Sequence, residues 1–331
     1  MNACPPFNYL LVLPHVHVQN ANAVSSPLTH GFPSMTAFLG TMWALERKAR
    51  GAGLDLAFNA VGVVCHDHQE QVTEGGFVKS FRLTRNPVDK DGSTAAIVEE
   101  GRIHLDLSLV LAISSENWHD EAQQQAEAGA VARLLAGMRV AGGSIVPPSR
   151  PQRLRHQPMV FDLTGTEEQR AAVFRRARMR LLPGFVLVAR DDLLDERHVE
   201  MSEEASGIGR LDAWLSLARI NWRYDTDADR GKGAWRHDRE GGGWIVPIPV
   251  GYGALSGLRP AGSVARARDT TTPFRFVESL YSVGEWVSPH RLHAPEQLLW
   301  YPDSRPDQGL YRCRNDYRPA ADAALPAYDF D

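Results

Sequence analysis

Between residues 9 and 146, runs of strand and helix period alternate in one order, and that order narrows the folds open to the chain. Residues 9–18 are apolar and strand-like, and an amphipathic helix follows over roughly 33–50. A second strand covers 54–68, with Phe58, Val61, Val63 and Val64. Residues 77–85 alternate as a third strand. Residues 86–93 gather Pro and Asp-Gly into a turn, and strand character resumes over 94–98. Residues 102–113 alternate and then become apolar. Residues 118–138 are helical, Gly142 and Gly143 end that helix, and a strand begins at Ser144 before Pro147 and Pro148 stop it. The order β-α-β-(hairpin)-β-α-β predicts an α+β chain of ferredoxin-like, RNA-recognition-like type, with a hairpin added between its middle strands. A sheet of this kind commonly binds RNA on its open face.

The organisation that follows is a core over 1–165, with its hairpin at about 76–100. A mostly helical insertion with a polar, Gly-rich loop occupies 166–243. A strand-containing part over 244–318, with strands at 244–249 and near 273–278, is expected to pack on the core, and 319–331 is a tail. At 331 residues the chain can bury a substantial core. No run approaches the roughly 18 apolar residues of a membrane span. Cys4, Cys65 and Cys313 lie far apart, which argues against a disulfide framework and for a reducing, cytoplasmic setting.

The net charge of −4 hides two biases. Of 36 basic residues 32 are Arg, whose planar fork suits phosphates, base edges and ring stacking. Residues 131–190 hold 11 Arg against 3 acids, and residues 191–204 then hold 7 acids against Arg197. A basic block inside an acidic protein suits a nucleic-acid face, and a solvated basic helix gives the same pattern.

Residues 19–40 carry three amides and five hydroxyls but no acid, Lys or Arg. Such a strand-to-helix loop can grip a polar ligand through neutral hydrogen bonds. It lacks the charged groups that acid–base or metal chemistry needs. His15 and His17 share a strand face and could act as acid and base in metal-free RNA cleavage. In Cys65-His66-Asp67-His68, strand alternation puts Cys65 and Asp67 on one face and the two imidazoles on the other. Zinc sites usually add further spaced ligands, and no CxxC or HExxH occurs. No GxxxxGK[ST], GxSxG or paired-carboxylate signature is present either. Arg and aromatic residues interleave at 266–275 and 286–291, a pattern that suits single strands or buried ion pairs.

Several blocks, in order, resemble one family. They are Leu-Pro at 13–14 with Val-Gln-Asn-Ala-Asn-Ala-Val-Ser-Ser-Pro-Leu-Thr-His-Gly-Phe-Pro at 18–33, then Val-Gly-Val-Val-Cys-His at 61–66 and Leu-Thr-Arg-Asn-Pro at 83–87. Further blocks lie at 91–102, 141–145, 180–185, 246–252, 275–278, 284–291 and 309–312. Together they resemble the subunit of the type I-F CRISPR surveillance (Csy) complex that holds the five-prime handle of the guide RNA, a member of the RAMP superfamily. Residues 186–243 fit poorly, and His30 stands where a Trp is expected.

The resemblance implies a non-catalytic RNA-binding role in antiviral defence, with neither cofactor nor metal. Its implied partners are the crRNA handle, the large subunit that reads the protospacer-adjacent motif, the adjacent backbone subunit and, through the assembled complex, double-stranded target DNA. Target sequence is then read by guide pairing. On this reading Gln19, Asn20, Asn22, Ser25 and Ser26 meet handle bases and sugars. Arg85, Asn86 and Arg102 serve a thumb hairpin and its base. Arg139, Gly142 and Gly143 approach the RNA backbone, and Arg268, Arg275, His290 and Arg291 face RNA, target DNA or the large subunit. The rival readings are a metal-independent endoribonuclease using His15 and His17, and a metal enzyme at Cys65, His66 and His68.

Overall fold

A computed structural model describes residues 3–76, 78–85, 88, 91–94, 97–118, 120–147, 156–226, 233–239, 243–267 and 269–319, with backbone alone at 83–85 and 97–99. The chain runs β1 (Tyr9–Asn22), α1 (Met35–Gly51), β2 (Ala57–Glu70), β3 (Arg102–Ser114), α2 (Glu121–Ala136), β4 (Arg139–Val140), β5 (Gly143–Ile145) and β6 (Met159–Asp162). It continues through α3 (Glu167–Arg180), β7 (Phe185–Ala189), α4 (Asp191–Glu204), α5 (Arg210–Leu217), β8 (Ile245–Ala254), β9 (Val277–Val287), β10 (Trp300–Arg305) and β11 (Leu310–Asn315).

These strands form one antiparallel sheet in the order β4-β5-β1-β3-β2-β7-β9-β8-β11-β10, with β6 added on β1. The path curls back on itself, because Trp300 of β10 pairs with Val61 of β2. Trp300 is fully buried at that closure and donates its indole N–H to the carbonyl of Leu187 at 2.8 Å. The molecule is therefore α+β, with five α-helices among the described residues and none long and apolar enough to cross a membrane.

Helices begin where the sequence supplies caps. Ser34 accepts from the amide of Thr36 at the start of α1, and Asp120 accepts from Ala122 and Gln123 at the start of α2. Thr166 and Gln169 form a reciprocal capping box on α3. Helix α1 buries Met35, Phe38, Leu39, Met42, Leu45 and Ala49, a spacing of three and four that makes one apolar stripe. That stripe and the buried face of α2 (Ala128, Val131, Leu135) share a core with Tyr9, Leu11 and Leu13 of β1 and Leu105, Leu107 and Leu109 of β3. Both helices thus cover one face of the sheet.

The opposite face carries a second core of Leu10, Val12, Val64, Val110 and Ala112, closed by Phe174, Ala177 and Leu181 from α3 and the residue after it. The face expected to be open is half covered by the Arg-rich helix, whose apolar side supplies that lid. The region expected to be a mostly helical insertion also holds β7, which pairs with both β2 and β9 and so lies inside the sheet. Its run Phe-Val-Leu-Val-Ala is too short and too uniformly apolar to show a period.

The expected hairpin at 76–100 is two ladders rather than one. Val72–Gly75 pairs with Val78–Phe81, the chain reversing where Gly76 adopts φ +65°, and Leu83–Arg85 pairs with Ile97–Glu99.

Candidate nucleic-acid interface

The polar end of the second face begins with two bulges. Register shifts between Leu13 and Val16 of β1, which lets His15 adopt φ +51°, and between Cys65 and Asp67 of β2. Leu105 and Leu107 point into the helix-side core, so Asp106 between them points the other way. Its carboxylate accepts from His15 Nδ1 at 3.0 Å, with His17 Nδ1 3.7 Å away. The His15 ring stacks on His66 at 4.4 Å and lies 4.3 Å from His156. Burial opposes the charge on Asp106, yet the His15 hydrogen bond and the surrounding imidazoles hold its carboxyl below the usual range.

The tautomer of His66 follows from its neighbours. Nδ1 lies 2.6 Å from the Pro183 carbonyl oxygen, which can only accept, so Nδ1 donates. In the neutral ring Nε2 then accepts from the Ser108 hydroxyl, also at 2.6 Å. Burial pushes the pKa of this imidazole down, against the pull of the Pro183 carbonyl. Sequence reasoning singled out His15 and His17. It did not place Asp106, Ser108, His66, His104 and His156 beside them, because pairing across strands carries no local signal.

The bulge in β2 also corrects the expected alternation. Cys65 pairs opposite Leu107 and Asp67 opposite Asp106, so these two residues face opposite sides of the sheet. Burial and two nearby carboxylates push the Cys65 thiol up to about 12, which keeps it protonated. Among the described residues no three His, Cys, Asp or Glu side chains converge as metal ligands do.

The amide-rich stretch splits into two parts. Gln19 and Asn20 are exposed at the end of β1, and their side-chain amides have no hydrogen bond among the described residues. Asn20 sits at φ +56°, held by its backbone N–H donating to His104 Nδ1 at 3.1 Å. Asn22, Ser25 and Ser26 instead serve their own loop. Asn22 Nδ2 donates to the Val24 carbonyl at 2.8 Å, and both serine hydroxyls meet Thr29 Oγ1, at 2.8 and 2.6 Å. These bonds fold Val24–Ser26 against Thr29–His30 as a small hairpin and occupy the groups expected to meet a ligand.

Arg102 is ion-paired with Glu100 beside the start of β3. Arg139 is exposed on β4. Gly142, at φ +79°, and Ala141, at φ +47°, make the two-residue turn between β4 and β5. Gly143 is buried, and a Cβ there would lie 2.6 Å from the amide nitrogen of Ala21. The close approach that this glycine permits is to the neighbouring strand and not to a ligand. Arg275 donates to the Pro306 carbonyl at 2.8 Å, a structural tie. His290 and Arg291 lie in a 3₁₀ turn (Pro289–Arg291) that packs on α3, with His290 Nδ1 2.8 Å from Ser288 Oγ. The side chain of Arg85, and all of Asn86 and Arg268, lie outside the described residues. On α3, Arg175, Arg176 and Arg180 are exposed, whereas Arg170 is spent on the Leu163 carbonyl and Glu296.

This is an α+β protein whose antiparallel sheet ends in a cluster of imidazoles and amides. The family model described as CRISPR-associated protein (Cas_Csy2) matches residues 11–313. The chain is also 46% identical, over 310 residues, to CRISPR-associated protein Csy2 of Pseudomonas aeruginosa (strain UCBPP-PA14), covering 92% of this chain and 94% of that protein. The chain belongs to the Csy2 family of CRISPR-associated proteins.

Proposed function

We propose that this chain is the non-catalytic subunit of a type I-F Csy complex that holds the five-prime handle of the crRNA and pairs with the large subunit for RNA-guided recognition of double-stranded DNA. The observation that carries the reading is the pair of unengaged amides, Gln19 and Asn20, presented on a fixed left-handed turn beside exposed His17. Amides read base edges and 2′-hydroxyls, and imidazoles stack on unpaired bases. Arg175, Arg176 and Arg180, exposed on α3, offer positive charge to phosphates. The strand order β5-β1-β3-β2, with α1 and α2 on one face, supports a ferredoxin-like RAMP core.

Nδ1 of His15 lies 3.0 Å and Nδ1 of His17 3.7 Å from the Asp106 carboxylate, so any cleavage would have to use their Nε2 atoms. Titration of fluorescent repeat RNA with the purified chain tests both halves of the reading. The handle should be bound and the RNA left intact, and cleavage that His15→Ala abolishes would sink the non-catalytic reading.

A further inference from the structure

We propose that the outward side of α5, with the ribbon that follows it, is a docking surface for another polypeptide: an amphipathic helix whose apolar stripe is flanked by Lys or Arg. After α5 the chain forms a two-stranded ribbon, Trp222–Thr226 pairing with Gly233–His237. Helix α5 buries Ala213, Trp214 and Ser216, and the Trp214 indole N–H donates to the Ser282 carbonyl at 2.8 Å. Leu211 and Leu215, four residues apart, share the outward side. Ile220 follows, and Trp222, Tyr224 and Trp235 stand on the ribbon. All six side chains are between 48% and 65% exposed. Single exposed apolar residues are ordinary, but a group of large ones on adjoining elements marks an interaction surface.

The ribbon is fixed at its root. The Asp238 carboxylate accepts the Asn221 backbone N–H at 3.1 Å and pairs with Arg197 of α4 at 2.7 Å. Arg197 also donates to Ser216 Oγ of α5 at 2.8 Å, so α4, α5 and the ribbon form one unit. Tyr224 and Trp235 pair across the ribbon with ring centroids 5.5 Å apart. A Cβ at Gly233 would lie 2.2 Å from the Tyr224 ring, so that ring lies across the ribbon. The surface is held in place before any partner arrives, which lowers the ordering cost of binding.

Charge selects the occupant. Of the seven acids on α4, Glu196, Glu203 and Glu204 make no ion pair among the described residues. Glu203 and Glu204 sit in the last turn, which holds no basic residue and where the negative end of the helix dipole disfavours them. Residues 205–209 lead from that end straight into α5 and its outward leucines. A helix with Lys or Arg beside its apolar stripe meets both features at once. Nucleic acid fits less well, because the carboxylates repel phosphates and Leu211, Leu215 and Ile220 give bases no ring to stack on.

The test uses the full chain and, as probe, a fluorescein-labelled amphipathic helix of leucine and lysine, with the same peptide carrying glutamate for lysine as its control; binding is read by anisotropy. The lysine peptide should bind at least about tenfold more tightly than the glutamate peptide. Leu211→Ser with Leu215→Ser, and separately Trp235→Ala, should each weaken it about fivefold or more, each variant first being shown by its thermal melt to fold as the wild type does. Glu203→Gln with Glu204→Gln should weaken it and flatten its salt dependence. Affinity for repeat RNA should be unchanged in all three variants. Equal binding of the two peptides overturns the surface. So does a lysine peptide held as tightly by the leucine and tryptophan variants, since charge alone then holds it. RNA affinity lost in Trp235→Ala overturns it in favour of a nucleic-acid surface.

Discussion

His15 and Asp106 are joined across the β1–β3 ladder at 3.0 Å, although His17 is the residue that stands opposite Asp106 in the register. The bulge between Leu13 and Val16 swings His15 over its neighbour's partner. It also stacks the ring on His66, which bonds Pro183 and Ser108 through its two nitrogens and which burial favours in the neutral form.

That neutrality has a pH signature. The His66 pKa is lowered from 6.5 by burial, so the unfolded chain takes up the proton first. Its contribution to stability is complete above about 6.5 and is lost as pH falls toward the folded value. Thermal melts between pH 7.5 and 5 should show the wild type losing stability as it is acidified. His66→Gln should melt lower at neutral pH but change less with pH. A slope unchanged by the substitution would reject this account.

Removing His15 acts on the same cluster from the other side. His15→Ala leaves the half-buried Asp106 with only the more distant His17, and should cost about 1–2 kcal/mol at neutral pH. Asp106 has its pKa lowered, so the stability it adds is present above its ordinary value of 3.8 and is lost as pH falls through the folded value. The gap between the two proteins, measured by urea unfolding, should therefore persist from pH 7 down to pH 5.

Gly143 gives a prediction about fold rather than ligand. A methyl group there would press on the backbone of Ala21 and on Val18, both buried in β1. The contacts at Ala21 are with backbone atoms, which cannot turn aside as the end of a side chain could. Gly143→Ala should destabilise the chain by about 1–3 kcal/mol, seen as a lower urea midpoint with an unchanged slope. Were this glycine serving a ligand instead, stability would hold while RNA affinity fell.

Strand and helix period made β1, α1, β2, β3 and α2 legible, because the helices bury a single stripe and the strands are long apolar or alternating runs. Bulges were not legible: the one after Cys65 turns Asp67 over to the other face, and no residue type marks it. β7 was missed because a five-residue strand buried on both sides shows no alternation. The amide-rich stretch was recognisable as a cluster of donors and acceptors. Which of them the loop consumes depends on Thr29 folding back onto Ser25 and Ser26, a contact fixed by the path of the chain.

The last prediction separates base reading from phosphate holding. If RNA runs from the end of β1 along α3, the exposed Arg175, Arg176 and Arg180 neutralise phosphates while Gln19 and Asn20 contact bases or sugars. For a single strand, each phosphate neutralised adds about 0.7 to the slope of log K against log salt. Changing the three arginines together to Ala should therefore reduce the magnitude of that slope by as much as about 2, with weaker binding at low salt. The double change Gln19→Ala with Asn20→Ala removes neutral hydrogen bonds of about 1 kcal/mol each and should lower affinity roughly tenfold or more at every salt concentration, leaving the slope as it was. Asn22→Ala, whose side chain is tied to Val24, should act on the thermal melt and much less on affinity. A salt slope that follows the amides and ignores the arginines would place the phosphates elsewhere on the protein.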